Sequence, residues 1–316
     1  MQQPLTTAFK PSLKRRWETN DFISMFCRLY MMETVSIFLR KDDMAAVCIC
    51  NLQTNQFMKP LLVRLKSWDH RYLVAGSKML NYVEILTEAD PHRPLSVQLS
   101  SMPTLVNVEM HSKYNTELRA GMLPNSITTL RLGDSYNQRL SSGALPSSLT
   151  DLHLGSDFNQ EIAPDVLPTS ILELTFSEDF NQPLYPGSLP PAVQSIMFGT
   201  FNHPIENVLP QSITYLDLGS GFNQPILSMF HEGLKDLSFG FTFNRQLYPN
   251  ILPSTLVNLE LGHAFNQPLL DNVLPRGLQD LTLHNSAYQH DIGWHAIPYG
   301  CRVLLQHLGR TWKLGT

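Results

Sequence analysis

Leu145-Pro146-Ser147-Ser148-Leu149-Thr150-Asp151-Leu152-His153-Leu154-Gly155-Ser156-Asp157-Phe158-Asn159-Gln160-Glu161-Ile162 is one full turn of a motif that recurs along most of the chain. Its aromatic–Asn pair returns every 21 to 22 residues, at Tyr114-Asn115, Tyr136-Asn137, Phe158-Asn159, Phe180-Asn181, Phe201-Asn202, Phe222-Asn223, Phe243-Asn244 and Phe265-Asn266, before decaying to Tyr288-Gln289. A fixed period of this length marks stacked units, each too small to bury its apolar face alone. The repeating positions build the array, so specific function must lie in what differs between repeats.

Within the unit, Leu152 and Leu154 are two residues apart and share one face of a strand. Gly155 permits the chain to turn away from the sheet. Phe158 and Ile162 return to the interior, and the next Leu-Pro opens a new unit. Proline fixes its own φ and biases its predecessor to extended geometry, which argues against a helix there. The same register holds at Leu130/Leu132, Leu174/Phe176, Ile196/Phe198, Leu216/Leu218, Leu237/Phe239, Leu259/Leu261 and Leu281/Leu283, with Val108/Met110 before them. Val83/Ile85 read as a degraded first unit and Val303/Leu305 as a last one, as end coils with a single neighbour should be. Between Asn223 and Asn244 the Leu-Pro is replaced by Ser228-Met229-Phe230-His231, where a local bulge is expected. The spacing leaves no room for a full helix opposite each strand, so the return segments should be turns and extended chain.

The pattern Leu-Pro-x-x-Leu-x-x-Leu-x-Leu-Gly-x-x-Phe-Asn-Gln-Pro-Leu, completed by Gln182-Pro183-Leu184, Gln224-Pro225-Ile226 and Gln267-Pro268-Leu269, resembles the FNIP repeat of amoebal and giant-virus proteins, a relative of leucine-rich repeats. The resemblance implies a mainly β repeat solenoid, a leucine-rich-repeat-like parallel β-sheet, over residues 79–306. Residues 1–20 read as a polar flexible arm, 21–78 as a small all-α module, and 307–316 as a C-terminal tail. The 21–78 stretch lacks glycine until Gly76, has proline only at Pro60, and is rich in Met, Leu, Phe and Arg.

Inside that module, Val35-Ser36-Ile37-Phe38-Leu39-Arg40-Lys41-Asp42-Asp43-Met44-Ala45-Ala46-Val47 resembles part of an F-box. The opening Leu-Pro and the third-helix Val-Cys…Trp run of that family are absent. The resemblance implies that Ile37, Leu39, Met44 and Val47 dock a ubiquitin-ligase adaptor. The alternative is a helical cap on the first coil, making the protein a structural scaffold or a virion component.

Composition sets limits on both readings. The 316 residues are 43% hydrophobic with a formal net charge of −4, enough apolar material for a continuous core and no basic excess for nucleic acid. Lys14-Arg15-Arg16 is the one basic cluster, read as solvated tail. Four cysteines (Cys27, Cys48, Cys50, Cys301) make no disulfide framework, and no signal peptide or membrane-spanning run is legible, so a cytoplasmic location (host cytoplasm if viral) is expected. No catalytic, cofactor-binding or metal-ligating residues are expected. His284, His290 and His295 are too widely spaced for a closed zinc site, and no phosphate loop or nucleophile motif occurs.

Two sets of residues remain as candidate sites on the solenoid. Asn115, Asn137, Asn159, Asn181, Asn202, Asn223, Asn244 and Asn266 should stack as a structural ladder that satisfies turn backbone groups. The strand positions facing away from the core vary, and Glu109, Arg131, Asp151, His153, Glu173, Met197, Tyr215, Asp217, Asp236, Glu260 and Asp280 are the candidate target-binding face. Seven carboxylates fall among its eighteen positions. A protein partner is expected, with no nucleic acid and no membrane.

Overall fold

The computed structural model describes residues 105–290, 292 and 296–305, together with the backbone of three strand segments at 67–69, 85–89 and 310–313. One sheet of 13 strands runs in chain order from end to end. Its strands are β1 (Ser67–Asp69), β2 (Ile85–Ala89), β3 (Asn107–Met110), β4 (Thr129–Arg131), β5 (Asp151–His153), β6 (Glu173–Thr175), β7 (Ser195–Met197), β8 (Tyr215–Asp217), β9 (Asp236–Phe239), β10 (Asn258–Leu261), β11 (Asp280–Leu283), β12 (Arg302–Leu305) and β13 (Arg310–Lys313). Every neighbouring pair from β1 to β12 is parallel, and β13 folds back antiparallel on β12. Between strands the chain returns through turns and bends, with no helix among the described residues.

The register follows the leucines. Leu130, Leu152, Leu174, Ile196, Leu216, Leu237, Leu259 and Leu281 pair coil to coil and are buried throughout. Leu132, Leu154, Phe176, Phe198, Leu218, Phe239, Leu261 and Leu283 form the second buried row. A third column is aromatic: rings from Tyr114 to Tyr288 stack in a single file, with centroids 6.2 Å apart at Tyr114–Tyr136 and 6.1 Å at Phe243–Phe265. Stacked pairs of this kind add about 0.5–1.5 kcal/mol each beyond burial of their area.

Two turns close each coil. In the Leu-Pro-x-x-Leu turn the Leu149 N–H donates to the Pro146 carbonyl at 3.1 Å. In the Gly-x-x-Phe turn the Phe158 N–H donates to the Gly155 carbonyl at 3.2 Å. Gly155 is demanded by crowding rather than by an unusual φ, because a Cβ there would sit 1.9 Å from the Gly133 carbonyl oxygen one coil earlier. At the equivalent position Ser177 turns its hydroxyl onto the Phe158 carbonyl. A left-handed residue also recurs, as Gly121, Gly143, Asp165, Gly187, Asn207, Asn250 and Asn272, all types that tolerate positive φ.

The sheet extends beyond the range 79–306. β1 lies inside 21–78, read as helical, and β13 inside 307–316, read as a tail. Ser67-Trp68-Asp69 carries the polar–apolar–polar pattern of the other strands but no aromatic–Asn pair follows it, so nothing periodic marks it. The rest of 21–78, including Ile37, Leu39, Met44 and Val47, lies outside the described residues. The degraded first unit is also shifted, by three residues. Leu86, not Val83, pairs with Val108, and Ile85 falls opposite Asn107 rather than Met110. Alternation has a period of two, so a slip by an odd number of residues changes the register column to which Ile85 is assigned.

The expected bulge at 228–231 takes another form. Phe230 is buried in the leucine slot, and His231 replaces proline as acceptor of the Leu234 N–H. This coil is short by one residue between its aromatic and that slot and has no left-handed residue just ahead of the slot. A cleft of about 370 Å³ opens beside it, lined in part by Ile205, Leu209, Ile226 and Met229.

Candidate interaction surface on the strand face

The outward columns of the sheet sit either side of the buried leucine row, and the pairing of the strands fixes their rows. Glu109, Arg131, His153, Thr175, Met197, Asp217, Ser238, Glu260 and Thr282 form one, and Asn107 to Asp280 form the other. All eleven residues named from the sequence as the binding face therefore lie on one surface. None of the eleven is buried.

The two halves of this face differ in charge. Toward the N-terminal end, Arg131 and His153 alternate with Glu109, Asp151 and Glu173, and His153 Nε2 lies 3.1 Å from Asp151. Burial and then the Arg131 guanidinium lower the His153 pKa against the pull of its carboxylate neighbours. At the far end Arg302 pairs with Asp280 through two nitrogens, at 2.7 Å each. Between them lie Asp217, Asp236 and Glu260. Asp236 accepts from Asn258, Glu260 meets His284, and Asp217 accepts the Gly219 N–H at 2.9 Å. Burial, reinforced by the Glu260 charge, raises the Asp217 pKa. Burial and the nearby Asp217, Glu260 and Asp236 raise that of Tyr215.

Large apolar groups are exposed beside these carboxylates. Met197 and Tyr215 are 41% and 37% exposed on adjoining strands. Phe241, 56% exposed just past β9, stacks on His263 at 4.9 Å, and His263 stacks on His284 at 5.2 Å. Nothing in the repeat pattern singled out this row, because Phe241 and His263 fall on a variable turn position and His284 on the neighbouring one, where the preceding coils have Gly240 and Gly262.

The asparagine column lies on another side of the solenoid. Each side-chain oxygen accepts the backbone N–H of the equivalent residue one coil later, as from Asn137 to Asn115 and from Asn266 to Asn244, and at the end from Gln289 to Asn266. The following glutamine often donates to the same oxygen, as Gln160 does to Asn137 at 2.9 Å. Asn115 and Asn181 are exposed and the other six are half-buried. His290 Nε2 contacts the Asn266 carbonyl and so serves this column, while His284 belongs with Glu260; His295 lies outside the described residues. Among the described residues no group of three or more His, Cys, Asp or Glu is placed to hold a metal. Cys301 is a buried thiol, its pKa pushed up to about 11 by burial. No helix among the described residues is long and apolar enough to cross a membrane.

Comparison with known proteins fits this geometry. The FNIP Repeat family matches five overlapping windows, at residues 114–157, 136–179, 158–201, 201–231 and 222–264. The crystal structure of CroV588, described as a novel circular leucine-rich-repeat protein, aligns at 35% identity and a TM-score of 0.66 over 71% of this chain and 33% of that one. This chain thus spans about a third of that protein's length. YopM from Yersinia enterocolitica aligns over 70% of this chain and 52% of its own at 17% identity and a TM-score of 0.33. A leucine-rich repeat protein from Bacteroides ovatus aligns at 12% identity and a TM-score of 0.16, over 71% and 72% of the two chains. No curated protein matches in sequence. With five in-register repeat matches on a parallel sheet of leucine-lined coils, the chain is a repeat protein of the FNIP and leucine-rich-repeat type.

Proposed function

We propose that the protein is a non-enzymatic interaction protein whose strand face binds a protein target, with residues 21–78 serving as an F-box-like module that recruits a cullin-type ubiquitin ligase. The observation that carries the first half is the contrast between columns. Buried positions repeat almost unchanged from coil to coil, while the two outward strand columns vary freely and expose Met197 and Tyr215. In repeat proteins an invariant scaffold with a variable sheet is the usual binding arrangement. The second half is supported by the sequence pattern from Ile37 to Val47.

The test is affinity purification of the wild-type chain and of Leu39→Asp and Met44→Asp variants from host cytosol, with a thermal melt of each. The adaptor function expects a ligase adaptor and cullin to co-purify with wild type only, and the solenoid to melt unchanged. A structural role, with residues 21–78 as a cap, is favoured by the unbroken aromatic stack. It expects no ligase component with any variant, and melting lowered from the N-terminal coil inward.

A further inference from the structure

We propose that the strand face over β8–β10 is the docking surface for an extended protein segment bearing arginine or lysine side chains. This rests on the strand face being the binding surface and adds the chemistry of what binds. Tyr215 and Asp217 on β8 pair in register with Asp236 and Ser238 on β9, which pair with Asn258 and Glu260 on β10. Three carboxylates thus occupy three adjacent strands, spaced about 4.8 Å apart. Among the described residues no lysine or arginine pairs with any of them, whereas Asp280 next door is held by Arg302. Glu260 has the imidazole of His284, and Asp236 only an amide. On the first half of the face the Arg131 guanidinium stands among Glu109, Asp151 and Glu173, whereas the outward positions of β8–β10 carry no lysine or arginine.

Aromatic surface beside the carboxylates points to the same class of ligand. Phe241 begins the ring row, with His263 on one side and Ser220 in the equivalent position one coil earlier. It therefore offers a ring face with no ring stacked on it, next to the acidic rows. A planar guanidinium suits such a pairing of ring face and carboxylate. Burial first, and then the neighbouring carboxylate charges, raise the Asp217 and Tyr215 pKa values, and a bound cation offsets the second of these causes. A nucleic-acid backbone would be repelled.

The experiment is selection of displayed random peptides on the full chain, followed by fluorescence anisotropy of an enriched peptide. It is titrated on wild type, on Asp217→Asn/Glu260→Gln, and on Glu109→Gln/Glu173→Gln as the control on the other half of the face. The Asp217→Asn change keeps a side-chain acceptor for the Gly219 N–H, and circular dichroism melts confirm folding. The expected result is enrichment of arginine and lysine, binding about tenfold weaker on the Asp217/Glu260 double variant, and a change within about twofold on the control. Equal weakening on both double variants would show unspecific attraction and overturn the proposal. Enriched peptides without basic residues, lost on Tyr215→Ala, would also overturn it while leaving the strand face as a binding surface. If no selected peptide responds to any strand-face substitution, both this inference and the proposed function of the face fall.

Discussion

Asn159 and Asn181 stand one coil apart, and the side-chain oxygen of the first accepts the backbone N–H of the second at 3.0 Å. The Gln182 amide donates to the same oxygen at 3.0 Å, so one side chain ties two groups of the following coil. Repeated from Asn115 to Asn266, the arrangement turns a periodic motif into a chain of nearest-neighbour bonds. Each coil thereby sets the position of the next.

The ladder is partly solvated, which limits its worth. Asn181→Ala removes the acceptor for the Asn202 N–H, yet Asn181 is exposed and water can take its place. The expected loss is about 0.5–1.5 kcal/mol, and less for Asn115→Ala at the looser end of the array. Urea unfolding of both variants measures this. Equal and negligible losses would make the column surface decoration.

Glycine substitutions separate crowding from backbone strain. Gly155→Ala forces a Cβ to within 1.9 Å of the Gly133 carbonyl oxygen, so the two coils must part, at a cost above about 3 kcal/mol. At Gly121 a Cβ meets nothing within 4 Å and only the left-handed φ is strained, for about 1–2 kcal/mol. Thermal melts of the two variants should therefore differ widely, with Gly155→Ala much the worse.

Phe180 stacks between Phe158 and Phe201, whereas Phe241 lies on the surface. Phe180→Leu breaks two stacked contacts in the core and should lower stability by about 2–4 kcal/mol. Phe241→Leu should change it by less than about 0.5 kcal/mol. Comparable losses at both sites would mean that the exposed row is part of the fold rather than surface available for binding.

Asp217 makes a prediction about pH. Its pKa is raised in the folded chain, mainly by burial and then by the Glu260 charge, so the folded state holds its proton more tightly than the unfolded one. Its contribution is most favourable below the ordinary carboxylate pKa and is lost as pH rises through the folded value. Asp217→Asn should thus raise the melting temperature at neutral pH, with the gain shrinking as pH falls into the acidic carboxylate range. A gain that does not vary with pH would mean that the charge is already compensated.

The sequence alone determined the solenoid. Leucines two residues apart, recurring with a fixed period, admit one buried face on a parallel sheet, and the strand partners are forced because each coil's nearest neighbour is the next coil. The strand face was legible for the same reason, since outward positions follow from alternation once the leucines are placed. Where the pattern thins, the sequence misled. Val83, Ile85 and Leu86 are apolar residues close together, and only pairing with Val108 decides which takes the leucine register. The role of Gly155 was legible as a turn but not as a contact, because the atom it avoids belongs to a coil 22 residues earlier. The cleft beside Phe230, the Phe241–His263–His284 stack and the unbalanced charge over β8–β10 are likewise products of stacking. Each depends on how one coil's exceptions meet those of its neighbours, and that juxtaposition exists only once the coils are in place.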